Sequence, residues 1–197
     1  LLVAASDTLS LNGILNFQSK LVKGEFTELI FMSLGKLSIS EGSEVSFAGD
    51  SLGFGSLDSI EVINVDLYAE GEVHMRSLDS LVINDSEMST SGNGGADFIH
   101  LIAASELSVD NLRFSEQVRQ VAMEAMTINL SNLNFPAGSA VQLNSLYGGM
   151  DGRYPNFGAK QWGRVNFIQN VQYNSNLINS RTAFDKHGGN ISIGSLR

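Results

Sequence analysis

The tetrapeptide Ser-Leu-Asp-Ser occurs twice, as Ser56-Leu57-Asp58-Ser59 and as Ser77-Leu78-Asp79-Ser80, 21 positions apart. Each copy leads into an apolar segment, Ile60-Glu61-Val62 after the first and Leu81-Val82-Ile83 after the second. A corner sequence that recurs in phase with a strand pattern points to a solenoid, in which each repeat buries its apolar side against its neighbours.

The periodicity extends on both sides. Leu37-Ser38-Ile39, Ile60-Glu61-Val62, Leu81-Val82-Ile83, Leu107-Ser108-Val109 and Met126-Thr127-Ile128 repeat at spacings of 23, 21, 26 and 19 residues. A second alternating segment follows each of them, such as Val45-Ser46-Phe47 or Leu133-Asn134-Phe135. A third follows in turn, as in Leu52-Gly53-Phe54, Val73-His74-Met75, Phe98-Ile99-His100-Leu101 and Val141-Gln142-Leu143. Period-2 alternation sends Leu, Ile, Val and Phe to one side and Ser, Asp, Glu and Asn to the other. Three short strands per repeat of 19–26 residues predict an all-β parallel β-helix. Glu116 to Ala125 has helix-forming composition but occupies a third-strand position, and is read as strand. The expected core stack runs through Ile39, Val62, Ile83, Val109 and Ile128.

Three regions follow. Residues 1–36 form a cap or irregular first coils, with Asn12-Gly13 as a tight-turn signal. Residues 37–145 form the regular solenoid, and the glycines at 92, 94 and 95 account for its longest spacing. Residues 146–197 are richer in aromatic and basic residues and read as a cap or assembly module. Residues 1–150 carry 6 Lys or Arg against 19 Asp or Glu, a net of −13, whereas residues 151–197 carry 6 against 2, a net of +4. The overall charge of −9 argues against nucleic acid and anionic membrane surfaces as partners. No apolar run approaches the roughly 18 residues of a membrane span. With 0 cysteines there is neither a disulfide framework nor a thiolate metal site.

The stretches from Leu37-Ser38-Ile39 to Gly49 and from Met126-Thr127-Ile128 to Ser145 resemble the right-handed parallel β-helices of bacterial exported proteins, the autotransporter passengers and filamentous-haemagglutinin-like adhesins. The resemblance covers residues 37–145. It implies a structural or adhesive protein, extracellular or at the cell surface, and transfers no active site.

Asp85, Glu87 and Asp97 flank a Gly-rich loop and offer oxygen ligands of the kind calcium takes. His74 and His100 fall in third strands of successive repeats, both facing outward, while His187 sits in a loop. No serine has a His and an acid in recognisable register, so nucleophilic catalysis has no support. The expectation is a non-enzymatic protein whose partner is itself. Solenoid ends are unpaired strand edges, and head-to-tail contact that does not close gives a filament or surface layer. The expected contact residues are Leu9, Leu11, Ile14 and Phe17 at one end and Tyr154, Trp162, Phe167 and Tyr173 at the other. The alternative is a carbohydrate-active or glycan-binding β-helix, which would carry clustered charges and aromatic platforms along the coils.

Overall fold

A computed structural model describes residues 1–19, 26–92 and 97–145, and, at the level of strand pairing, the segments 164–169, 172–173, 178–182 and 190–193. The chain winds as a parallel β-solenoid. The first coil holds β1 (Leu2–Ala5), β2 (Leu9–Leu11) and β3 (Ile14–Gln18). The second holds β4 (Glu28–Ser33), β5 (Leu37–Ile39) and β6 (Glu44–Ala48). The third holds β7 (Ser51–Ser56), β8 (Ile60–Ile63) and β9 (Asp66–Ala69). The fourth holds β10 (Glu72–Ser77), β11 (Ser80–Asn84) and β12 (Glu87–Thr90). The fifth holds β13 (Phe98–Ala103), β14 (Glu106–Asp110) and β15 (Arg113–Phe114). The sixth holds β16 (Gln120–Ala125), β17 (Thr127–Ser131) and β18 (Asn134–Phe135). Beyond these come β19 (Ala140–Ser145), β20 (Arg164–Gln169), β21 (Gln172–Tyr173), β22 (Ile178–Thr182) and β23 (Asn190–Ile193).

Every third strand pairs in parallel with the one before it. Sheet A runs β1-β4-β7-β10-β13-β16-β19-β22, and sheet B runs β2-β5-β8-β11-β14-β17-β20-β23. Sheet C is shorter, β3-β6-β9-β12-β15, and β18 pairs separately with β21. The strands alternate as the sequence requires. In β10, for example, Val73 and Met75 are fully buried while Glu72, His74 and Arg76 face out. One apolar core fills the space between the sheets, from Leu11 and Leu29 to Val141 and Leu143.

The repeated tetrapeptide has a structural reason. Ser33, Ser56 and Ser77 occupy one register column at the end of sheet A, all buried at the turn into sheet B. Ser77 Oγ donates to the Asp58 carbonyl at 2.6 Å and accepts from Asp79 N–H at 3.1 Å. Ser56 does the same with Gly35 O at 2.5 Å and Asp58 N–H at 3.0 Å, and Ser33 Oγ donates to Asp7 O. Each serine thus gives a turn carbonyl of the preceding coil a side-chain donor, in addition to the backbone N–H of Gly35 that Asp7 O accepts and that of Asp79 that Asp58 O accepts. The next positions in the column, Ala103 and Ala125, dispense with the hydroxyl.

The turn that leaves sheet B uses a different device. Asn64, Asp85, Asn111 and Asn132 each stand there in the left-handed region, at φ of 52°, 51°, 51° and 48°. Asn and Asp tolerate that conformation better than other residues with a Cβ. Their side chains also link coils: Asn111 Nδ2 donates to Asp85 Oδ1 at 2.7 Å, and Asn132 Nδ2 to Asp110 Oδ1 at 2.7 Å.

Three expectations need adjustment. The core stack through Ile39, Val62, Ile83 and Val109 continues to Leu130, and Ile128 follows Leu107 instead. This slip of two residues preserves which side chains face inward, so alternation alone cannot detect it. Asn12-Gly13 does turn the chain, with Gly13 at φ 83°, but as a solenoid corner joining two different sheets. Glu116 to Ala125 is strand only from Gln120 onward.

The first coil is regular. β1, β2 and β3 pair in register with β4, β5 and β6. At the other end, β20 to β23 extend the ladders of β17, β18, β19 and β20. Tyr154 and Trp162 lie outside the described residues. Phe167 and Tyr173 take the register positions after Leu130 and Phe135.

Candidate functional site

Two surfaces depart from a plain solenoid, and the first is the exposed face of the first coil. Val3, Leu9, Leu15 and Phe17 point inward like their counterparts in every later coil, yet remain partly exposed while packed against the core. Leu37 and Val45, which follow Leu9 and Leu15 in register, are fully buried. Leu11 is buried, and Ile14 faces outward with 70% of its surface exposed. An aromatic column reaches this face. Phe54 stacks on Phe31 at 5.5 Å between centroids, and Phe31 meets Phe17 edge-on at 5.7 Å.

The backbone there is open as well. Leu9 N–H donates to Lys36 O at 3.0 Å, and Leu11 O accepts from Ser40 N–H at 3.0 Å. Leu1 O and Ala5 O likewise accept from Ile30 and Leu34, at 2.8 and 3.1 Å. In a parallel ladder, alternate residues bond to opposite sides. Leu2, Ala4, Ser10, Ile14 and Asn16 therefore turn their backbone N–H and C=O groups toward the open edge, which has no strand partner among the described residues. Such an edge is a template for further pairing.

The second surface is the outer face of sheet A. It carries Ile30, Met32, Phe98 and Ile102, all half-exposed, among Glu28, Glu72, Glu124, His74, His100 and Arg76. The outer face of sheet B is more polar, with Ser10, Ser38, Glu61, Ser80, Asn84, Ser108 and Asn129 alongside the apolar Ile63 and Val82. His74 and His100 are register partners, as the repeat spacing predicts. Their rings diverge, however. His100 stacks on Phe98 at 5.1 Å and reaches Glu124 Oε1 with its Nε2 at 3.3 Å. His74 lies back over Gly53, where an added Cβ would sit 2.3 Å from its Nε2. Burial holds the His74 pKa below the ordinary value, against the opposing pull of the Glu72 and Glu28 carboxylates and with a small push from His100.

His74 also makes a contact that the sequence reading missed. Its Nδ1 is 3.3 Å from Ser51 Oγ, and its Nε2 is 3.9 Å from Glu28 Oε1. The three residue types are those of a hydrolytic triad. Ser51 is 0% exposed, so its hydroxyl is closed to any substrate carbonyl. The signal was hidden because Glu28, Ser51 and His74 belong to three successive coils, and only the register assembles them.

The calcium candidates do not converge. Asp85 accepts from Asn111 at the turn before β12, and Glu87 pairs with Arg113 at 3.4 Å. Asp97, buried beyond the far end of β12, accepts from Gly92 N–H at 2.9 Å. Among the described residues no group of three or more His, Cys, Asp or Glu has metal-binding geometry. Fold and surfaces thus define the class, a parallel β-solenoid with one open end face and one mixed apolar and charged flank. No protein-family model, curated protein or solved structure matches the chain.

Proposed function

We propose that this protein is a non-enzymatic structural element that stacks head to tail into filaments or a surface layer, exported to the cell exterior in the manner of the bacterial β-helix adhesins it resembles. The observation that carries the reading is the open first coil, where inward-facing Val3, Leu9, Leu15 and Phe17 and three strand edges present one continuous surface. Covering it with another coil buries apolar area worth roughly 25 cal/mol per Å² and supplies directional backbone bonds. The net charges of −13 on residues 1–150 and +4 on residues 151–197 add steering, which salt screens over about 8 Å at physiological strength.

Deleting the first coil is a poor test, because it uncovers Leu29, Phe31, Leu37 and Val45 in an equally open second coil. Proline on the edge is better. Ser10→Pro with Asn16→Pro removes two N–H groups that have no partner among the described residues and obstructs the approach of a new strand. Electron microscopy at neutral pH should show fibres for the unaltered chain and single particles for the variant, with little change in melting temperature. An unaltered chain that stays monomeric at high concentration overturns the proposal.

A second reading rests on the outer face of sheet A, where Phe98 and its neighbouring carboxylates and imidazoles suit the C–H faces and hydroxyls of a glycan. Binding of neutral oligosaccharides that is lost in Phe98→Ala supports it, and no binding to a glycan array removes it.

A further inference from the structure

We propose that the stacked copies meet in a single register, the one that continues the internal columns without offset. β23 of one copy pairs with β2 of the next, with Ile191 opposite Leu9 and Ile193 opposite Leu11. At the same joint β22 pairs with β1, with Asn179 opposite Leu2 and Ser180 opposite Val3. The inference rests on the head-to-tail reading and specifies its joint.

In sheet B one register column, inward-facing from Leu9 through Ile128, runs Leu9, Leu37, Ile60, Leu81, Leu107, Ile128, Val165, Ile191. Its neighbour runs Leu11, Ile39, Val62, Ile83, Val109, Leu130, Phe167, Ile193. Every position in both is a large apolar residue, and each column begins and ends on one. Ile191 and Ile193 are two residues apart, as are Leu9 and Leu11, so the two pairs match directly. Between them Ser192 falls opposite Ser10, continuing the polar outer row.

Other registers fail on simple grounds. An offset of one residue sets Leu9 against Asn190 or Ser192 and sends the apolar set of one copy outward. An offset of two leaves Ile191 or Ile193 without an apolar partner. The corner column gives an independent check. It runs Ala5, Ser33, Ser56, Ser77, Ala103, Ala125, Ser145, Thr182, with no residue larger than threonine. Without offset, Thr182 meets Ala5 and the column stays small. The backbone agrees: Ser10, whose N–H and C=O face the open edge, bonds across the joint to Ile191 O and Ile193 N–H.

The chain's lack of cysteine makes the joint testable by cross-linking. The double variant Ser10→Cys, Ser192→Cys places thiols on strands that meet only between copies. Directly opposite Cα atoms on paired strands lie about 4.8 Å apart, within disulfide reach. Inside one copy the same two strands are the outermost of eight in sheet B, roughly 34 Å apart at that spacing. Oxidation of assembled fibres should give a ladder of covalent multimers on a non-reducing gel. Ser10→Cys with Asn190→Cys, offset by two residues, should give none. Fibres whose offset pair cross-links in place of the matched pair, or whose single Ser10→Cys variant gives dimers, overturn the register and leave assembly standing. A chain that forms no fibres overturns both.

Discussion

Leu9 and Leu81 occupy the same column of sheet B, face the same way and lie in equivalent strands, yet Leu81 is fully buried and Leu9 is not. The difference lies in their surroundings. Leu81 has a coil on each side, whereas Leu9 has one. In a solenoid burial is conferred by neighbouring coils, and the same residue pattern can be core in one place and contact surface in another. The first coil therefore has the chemistry of an interior coil, with one face that no described strand covers.

The sharpest way to break this comparison is one charge in each setting. Ile83→Asp buries an unpaired carboxylate at a site with 0% exposure and should cost several kcal/mol, seen as a large fall in melting temperature. Leu9→Asp places the same carboxylate where water reaches it. It should cost far less stability and abolish fibres in electron microscopy. Equal melting temperatures for the two variants would show that coil one and coil four do not differ as described.

A smaller effect is expected in the serine column. Ser77→Ala removes a donor to Asp58 O and should cost about 1–2 kcal/mol by denaturant titration. Ser33→Ala should cost less, because its acceptor, Asp7 O, belongs to the exposed first coil. The reverse order would mean that the end turn is as dry as the interior one.

The smallest effect concerns His74. Its folded-state pKa lies below the unfolded value, so the folded chain binds fewer protons in the window between the two. Its contribution to stability is complete above the ordinary histidine value of about 6.5 and is lost as pH falls below it. His74→Gln should flatten that part of the stability profile. Gly53→Ala should lift the ring off the backbone, and the His74 pKa, followed by NMR titration, should then rise toward the ordinary value.

Much of the fold was legible in the sequence, for identifiable reasons. Alternation exposed the three strands of each coil, and the recurrence of Ser-Leu-Asp-Ser marked a turn that needs a buried hydroxyl. The register of Ile128 was not legible, since a slip of two keeps its parity. Nor was the regularity of β1 to β3, because the polar stretch Lys20 to Glu28 interrupts the period. The pairing of His74 with His100 followed from spacing. The divergence of their rings did not, since it depends on Gly53, and an absent side chain leaves no mark in a hydropathy pattern. The Ser51 contact required three coils at once.

Ser56 and Ser77 are register partners within identical tetrapeptides, and this makes the intervening 21 residues an exchangeable cassette. Excising residues 56–76 joins Gly55 to Ser77 and recreates the same turn, and duplicating them inserts the same turn again. Either change leaves both terminal faces untouched and alters the body by one strand spacing, about 4.8 Å. A chain shortened or lengthened by this cassette changes its reach in a fixed increment while the Ser-Leu-Asp-Ser turn stays as it is.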